Sequence, residues 1–256
     1  MKLNGTFSLI NRGRIAEGAE WSESHSAIVR AILAMSWKPG SADFRIPRIV
    51  TIKSGKTYTN LKGKQVLSPK KSPVTLRNGV RPLRDAFRKL MEKQWKCEEP
   101  LKLDAYFKTR RGGHESETIF QYPSLERILE PLHEGLGDFD FWLRSESGFR
   151  TVVEWETGNI SSSHRSLNKM CLALLGGLAE AGVLIVPSAR LYVHLTDRIG
   201  NIRELQPYFY FWSSVGQLVE RGLLAVMEVE HDTLFESTDL RDFIPRGKEG
   251  NSRRKG

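Results

Sequence analysis

The chain has 256 residues, 39% apolar and 27% charged, a balance suited to one large domain or a core with insertions and unlike that of fibrous or disordered chains. Its 39 Lys and Arg against 30 Asp and Glu leave a net charge of +9, which favours a polyanionic partner, either nucleic acid or an acidic substrate. Cys97 and Cys171 lie far apart with no CxxC spacing, so neither a zinc site nor a disulfide framework is indicated.

The opening MKLNGTFSLINRGR has too short an apolar run for a secretory signal, and the expected location is the cytoplasm. Helical periodicity appears first over 27–37. From 45 to 77 the chain carries nine basic residues and no acid, as many positive charges as the net charge of the whole molecule. The Gly, Ser, Pro and Thr content of that segment predicts strands joined by exposed loops or a mobile arm, with its cations either merely solvated or touching phosphates. A second helix is predicted over 83–95, after Pro82.

Strands are predicted over 139–143, 151–156, 183–186, 191–195 and 223–229, and a third helix over 162–181. The most apolar stretch, 170–186, contains Glu180 and three glycines and changes character at Gly182, so it reads as a helix followed by a buried strand, with no membrane span. The alternation between 138 and 195 predicts an α/β fold in which a central mixed β-sheet is flanked by helices. A single domain over 1–245 is expected, followed by a basic, glycine-containing, flexible tail over 246–256.

The chemistry concentrates around two of these strands. Alternation puts Glu154 and Glu156 on one face and Val153 and Trp155 on the other. If the strand containing Asp140 lies alongside, three carboxylates converge, a like-charge arrangement that a divalent cation relieves, and hard oxygen ligands favour magnesium. A solvated strand edge is the plainer reading of Glu-x-Glu, and Asp138 shares its face with Asp140, so parity does not separate them. Next, Thr157-Gly-Asn-Ile-Ser-Ser-Ser-His-Arg165 leads into a helix. Its serines suit capping, while Asn159, Ser161 and Arg165 add donors at an anion-favouring helix start. His164 reads as a packing residue. Thr196-Asp-Arg198 offers Asp197 to a cytosine amino group and Arg198 to guanine, or else a surface ion pair.

Taken together, VVEWETGNISSSHRSLNK and YVHLTDRIGNIRELQPYF resemble the BamHI-like group of type II restriction endonucleases, within the PD-(D/E)xK nuclease superfamily. The likeness runs without gaps from 154 to 209, continues more weakly over 28–37 and 79–101, and returns in the tail from 244 to 250. It implies a homodimer that cuts double-stranded DNA at a palindrome with one or two magnesium ions per site, leaving 5′-phosphate ends. Glu156 stands where most of the superfamily has lysine. By position, Asp140, Glu154 and Glu156 match the catalytic carboxylates and Glu98 a further active-site glutamate, with Glu99 its neighbour. Asp140, Glu154 and Glu98 would hold metal.

Asn159, Ser161, Arg165, Asp197 and Arg198 fall on the base-reading positions, implying GGATCC or a close relative. Gly247 and Glu249 fall in a tail segment that approaches the minor groove. A cognate DNA methyltransferase is the implied functional partner. Three departures stand out: extra residues over 113–138, the longer basic segment 45–77, and a changed turn at Gly176 and Gly177. The rival readings are a non-catalytic DNA-binding regulator and a structure-specific repair nuclease on the same fold.

Overall fold

The structure, a computed structural model, describes residues 1–38, 40–70, 72–95, 137–196 and 199–246. Its centre is a five-stranded mixed sheet built from β1 (Lys2–Arg12), β7 (Phe141–Arg144), β8 (Arg150–Trp155), β9 (Ala181–Pro187) and β10 (Gly222–Glu230), in the order β1-β10-β9-β8-β7. The inner strands β10, β9 and β8 run parallel, and the outer strands β1 and β7 are antiparallel to their neighbours. Every residue of β9, AGVLIVP, is buried. A strand covered on both faces needs such an unbroken apolar run.

Helices close both faces. On one side α1 (Ala19–Leu33) and α2 (Arg81–Gln94) bring Ile28, Ile32, Phe87 and Met91 against Phe141, Val153, Trp155 and Ile185. On the other, α3 (Ile160–Leu175) sets Leu167, Met170 and Leu174 against Trp142, Val152, Leu184 and Val226. Among the described residues no helix is long and apolar enough to cross a membrane.

Several boundaries differ from expectation. Helix α1 starts at Ala19, eight residues before the predicted 27, because Trp21 and Ser24 already face the core. The third helix stops at Leu175, well short of 181. Gly177 takes φ +63° and the Leu178 amide donates to Ala173 O at 2.8 Å, the left-handed cap that ends a helix, after which Ala181 opens β9. The strand expected over 191–195 is instead the short helix α4 (Ala189–Tyr192), initiated by Ser188, whose Oγ accepts from Leu191 N at 3.0 Å. Two further short helices follow, α5 (Ile202–Leu205) and α6 (Phe209–Val215).

The basic segment forms paired strands, not an unpaired arm. It contains β2 (Arg45–Pro47), β3 (Val50–Ile52), β4 (Thr57–Thr59), β5 (Gln65–Leu67) and β6 (Val74–Leu76). β3 pairs with β6 and β4 with β5, both antiparallel, while β2 lies parallel to β11 (Thr233–Phe235). Ile52, Leu76 and Phe243 form a small core there, apart from the two main ones.

Candidate functional site

The β7–β8 register pairs Phe141 with Val153, so the preceding Asp140 comes level with Glu154 and the two carboxyls interact. Asp140 is held from several directions. Its Oδ2 accepts from Trp155 N at 3.0 Å, Arg84 Nη1 stands 3.6 Å from Oδ1, and its main-chain oxygen accepts from Arg88 Nη2 at 2.9 Å. Both arginines belong to α2.

Glu154 accepts a hydrogen bond from the Lys169 ammonium of α3, which also donates to Asp138 O at 2.7 Å and lies 4.5 Å from the centre of the Phe139 ring. Burial pushes the Glu154 carboxyl up to about 7, with Lys169 opposing and the neighbouring Asp140 adding to the rise. Glu156 is only 4% exposed. It accepts from Gly158 N at 2.6 Å and from the Ser163 hydroxyl. Burial raises it too to about 7, against hydrogen bonds from Ser163, Gly158 and Thr157.

The three expected carboxylates therefore divide. Asp140 and Glu154 stand together beside a cation, whereas Glu156 is turned into the start of α3. Asp138 is exposed and contributes its carbonyl to Lys169, so the half-buried Asp140 is the partner of Glu154. Among the described residues no three His, Cys, Asp or Glu side chains gather closely enough to hold a metal ion. The fit of a divalent cation rests on chemistry: two oxygen donors of like charge, one of them already drawing in an ammonium, make a site that favours a hard cation.

At the helix start, Asn159 caps α3, its Oδ1 accepting from Ser162 N at 3.2 Å, and Asn159, Ser161 and Arg165 are exposed. Ser161, Arg165, His164, Asn168 and Tyr208 line one open groove. His164 packs against Tyr208 and Trp212, with ring centres 4.5 and 5.2 Å away. Beside this loop comes the chain following residue 198: Ile199 bridges to Asn159 and Gly200 N donates to Gly158 O at 3.1 Å. A Cβ on Gly200 would lie 1.9 Å from Ser163 Oγ, so only glycine permits this approach. Asp197 and Arg198 themselves, like Glu98, Glu99, Gly247 and Glu249, lie outside the described residues.

Asn78, fully buried, ties this end of the molecule together. Its Nδ2 donates to Pro47 O at 2.9 Å and His194 O at 3.0 Å, and its Oδ1 accepts from Ile244 N at 3.2 Å. Its main-chain oxygen accepts from Thr196 N at 2.6 Å. The next residue, Gly79, leaves room for the C-terminal segment, since a Cβ would lie 2.1 Å from Pro245 O. Asn78, Arg84, Arg88, Ser163 and Lys169 were not singled out by sequence reasoning. For Lys169 a signal exists: a lysine beside Leu167 and Met170 on the buried face of a helix needs a partner.

The family model described as Restriction endonuclease BamHI matches residues 1–251. The type II restriction enzyme OkrAI of Oceanobacter kriegii is 35% identical over 182 residues, 71% of this chain and 77% of that protein. The type II restriction enzyme BamHI of Bacillus amyloliquefaciens is 36% identical over 105 residues, 41% of this chain and 45% of that protein. Among solved structures, the restriction endonuclease BGLII complexed with a DNA 16-mer superposes with a TM-score of 0.50 at 10% identity, covering 91% of this chain and 79% of that one.

Proposed function

The chain belongs to the BamHI restriction endonuclease family, a family of type II site-specific deoxyribonucleases, and on that premise we propose that it hydrolyses one phosphodiester in each strand of duplex DNA at the palindrome GGATCC or a close relative, with magnesium, leaving 5′-phosphate ends. The observation that carries this reading is the Asp140–Glu154 pair, set on a sheet edge directly beneath the helix whose start exposes Asn159, Ser161 and Arg165. A protein that only bound DNA would gain nothing from two adjacent carboxylates near a polyanion.

Asp140 and Glu154 would hold the magnesium, with Glu98 added by position. Bound there, magnesium would neutralise charge developing on the phosphate and render water nucleophilic at neutral pH. Arg84, 3.6 Å from Asp140, adds positive charge beside the pair. Glu156 orients the attacking water or takes its proton, its carboxylate aimed by Gly158 N and Ser163 Oγ. Asn159, Ser161, Arg165, Asp197 and Arg198 read base edges in the major groove, and the tail around Gly247 and Glu249 approaches the minor groove.

A palindromic target calls for two-fold symmetry, hence a homodimer. The exposed Tyr208, Tyr210 and Phe211, beside the α3 groove, offer apolar surface for a second copy. Self-protection calls for a cognate DNA methyltransferase, and both activities belong in the cytoplasm with the DNA.

The test is incubation with a plasmid carrying a single GGATCC, with magnesium or with EDTA, and sequencing of the ends. One cut at that site, only with magnesium, is expected. Cutting elsewhere at a fixed sequence would shift the readout assignment, scattered structure-dependent nicks would favour the repair nuclease, and binding without scission would favour the regulator. Glu156→Gln with full activity would remove Glu156 from proton transfer.

A further inference from the structure

Among the described residues, Lys53, Lys56, Lys62, Lys64, Lys70 and Arg77 are all exposed and none pairs with an acid. All six sit on the unit formed by β3 to β6, which has its own core of Ile52, Leu76 and Phe243. The positions of several are fixed by the backbone. At the β4–β5 turn, Asn60 Oδ1 accepts from Lys62 N and Lys64 N at 2.9 and 3.0 Å, and Asn60 N donates to Lys64 O at 2.9 Å. At the turn before β4, Lys56 N donates to Lys53 O at 3.1 Å, and Ser68 N to Lys56 O at 2.8 Å.

The unit is also fastened to the end of the molecule that carries the recognition segments. β6 runs directly into Asn78, which bridges to Leu195 and bonds Thr196, the residue preceding Asp197. On its other side Thr59 N donates to Thr238 O at 3.0 Å and Leu240 N to Thr59 O at 2.8 Å, so β4 lies along the chain that leads to Arg246 and the tail. Arg77 and Arg246 line one groove.

We propose that the β3–β6 unit is a clamp for duplex DNA outside the recognition hexamer, its lysines contacting phosphates of the flank. This rests on the reading above and extends it from base readout to a longer footprint. Unpaired, exposed cations cost nothing in lost ion pairs when they meet phosphate, and turns already held by hydrogen bonds lose little freedom on binding. Each phosphate neutralised releases counterions and steepens the dependence of binding on salt by about 0.9 in log–log slope.

The experiment measures binding of wild-type protein and the K53Q/K56Q/K62Q/K64Q variant, in EDTA, to duplexes of about 12 and about 30 base pairs centred on GGATCC, across a salt series. Wild type is expected to bind the long duplex at least tenfold more tightly, with a salt slope steeper by about 2 or more. The variant should lose that advantage and match wild type on the short duplex. Equal losses on both lengths, or no loss on either, would overturn the clamp. Wild-type preference for the short GGATCC duplex over a scrambled one reports separately on the site-specific reading, so the two fail independently. Unchanged cutting of the short duplex by the variant in magnesium shows that its fold is intact.

Discussion

Asn78→Ala removes three side-chain hydrogen bonds, to Pro47 O, His194 O and Ile244 N. His194 O keeps its bond from Asn78 N, which the backbone supplies, so the groups losing their bond from this residue are Pro47 O and Ile244 N. At about 1–3 kcal/mol for each buried polar group left unpaired, the loss is about 2–6 kcal/mol, a large part of the ~5–15 kcal/mol that holds a typical domain. Asn78→Asp is expected to be worse at neutral pH: it keeps an acceptor for Ile244 N but turns a carboxylate oxygen toward two carbonyl oxygens. Urea unfolding of the DNA-free protein gives the stabilities, and competition between GGATCC and scrambled duplexes gives discrimination, which should fall as the segments at Thr196 and Ile244 loosen. A cost for Asn78→Ala below about 1 kcal/mol, or an Asp variant more stable than the Ala variant, would refute the assignment. Gly79→Ala probes the same junction from the other side, because its Cβ collides with Pro245 O while every Asn78 side-chain donor stays in place.

Asp140→Asn should reduce strand scission in magnesium by about 10³-fold or more, measured by plasmid nicking, while leaving DNA binding equal or tighter because one repulsive charge is gone; retained cutting would remove Asp140 from the site. Lys169→Met takes the ammonium from Glu154, and calorimetric titration should then show tighter calcium or manganese binding; weaker binding would mean that Lys169 helps to build the metal site instead of standing in for its occupant. Glu156 in the folded chain keeps a proton that the unfolded chain sheds between its ordinary 4.5 and about 7, so its contribution to stability falls as pH rises through that window. Glu156→Gln, which does not titrate, should therefore gain on wild type by up to about 3 kcal/mol between pH 4.5 and 8 in EDTA, read by urea unfolding; a pH-independent difference would show that burial does not shift this carboxyl.

The sheet centre was legible because its signals agree: β9 and β10 are largely apolar runs of strand length, and the alternation in β8 correctly sorted Val153 and Trp155 from the carboxylates. Strand β1 was not legible, since an edge strand with most residues exposed, such as KLNGTFSLINR, carries no strong period. The 191–195 run misled because five mostly apolar residues fit either a strand or a buried helical turn, and the Ser188 cap decided for the helix. Spacing alone placed Asp140 with Glu154 and left Asp138 open, as residues two apart in an extended segment share a face. Asn78 stayed hidden because its partners Pro47, His194 and Ile244 lie far from it in the chain, and Ser163 because a serine at the start of a helix reads as a cap and not as a donor to Glu156.

Helix α3 is one rod with two audiences. Its outer side presents Ser161 and Arg165 to whatever lies in the groove, while Ser163 and Lys169 on its inner side grip Glu156 and Glu154. Ser163 and Lys169 stand six residues apart, about 9 Å along the axis, with no joint between them. If Arg165 reads a base as proposed, a base pair that displaces the start of the helix would be felt at both carboxylate contacts through the same rod. Sequence recognition and the chemical site would then share one rigid helix, and a change at either end would be felt at the other.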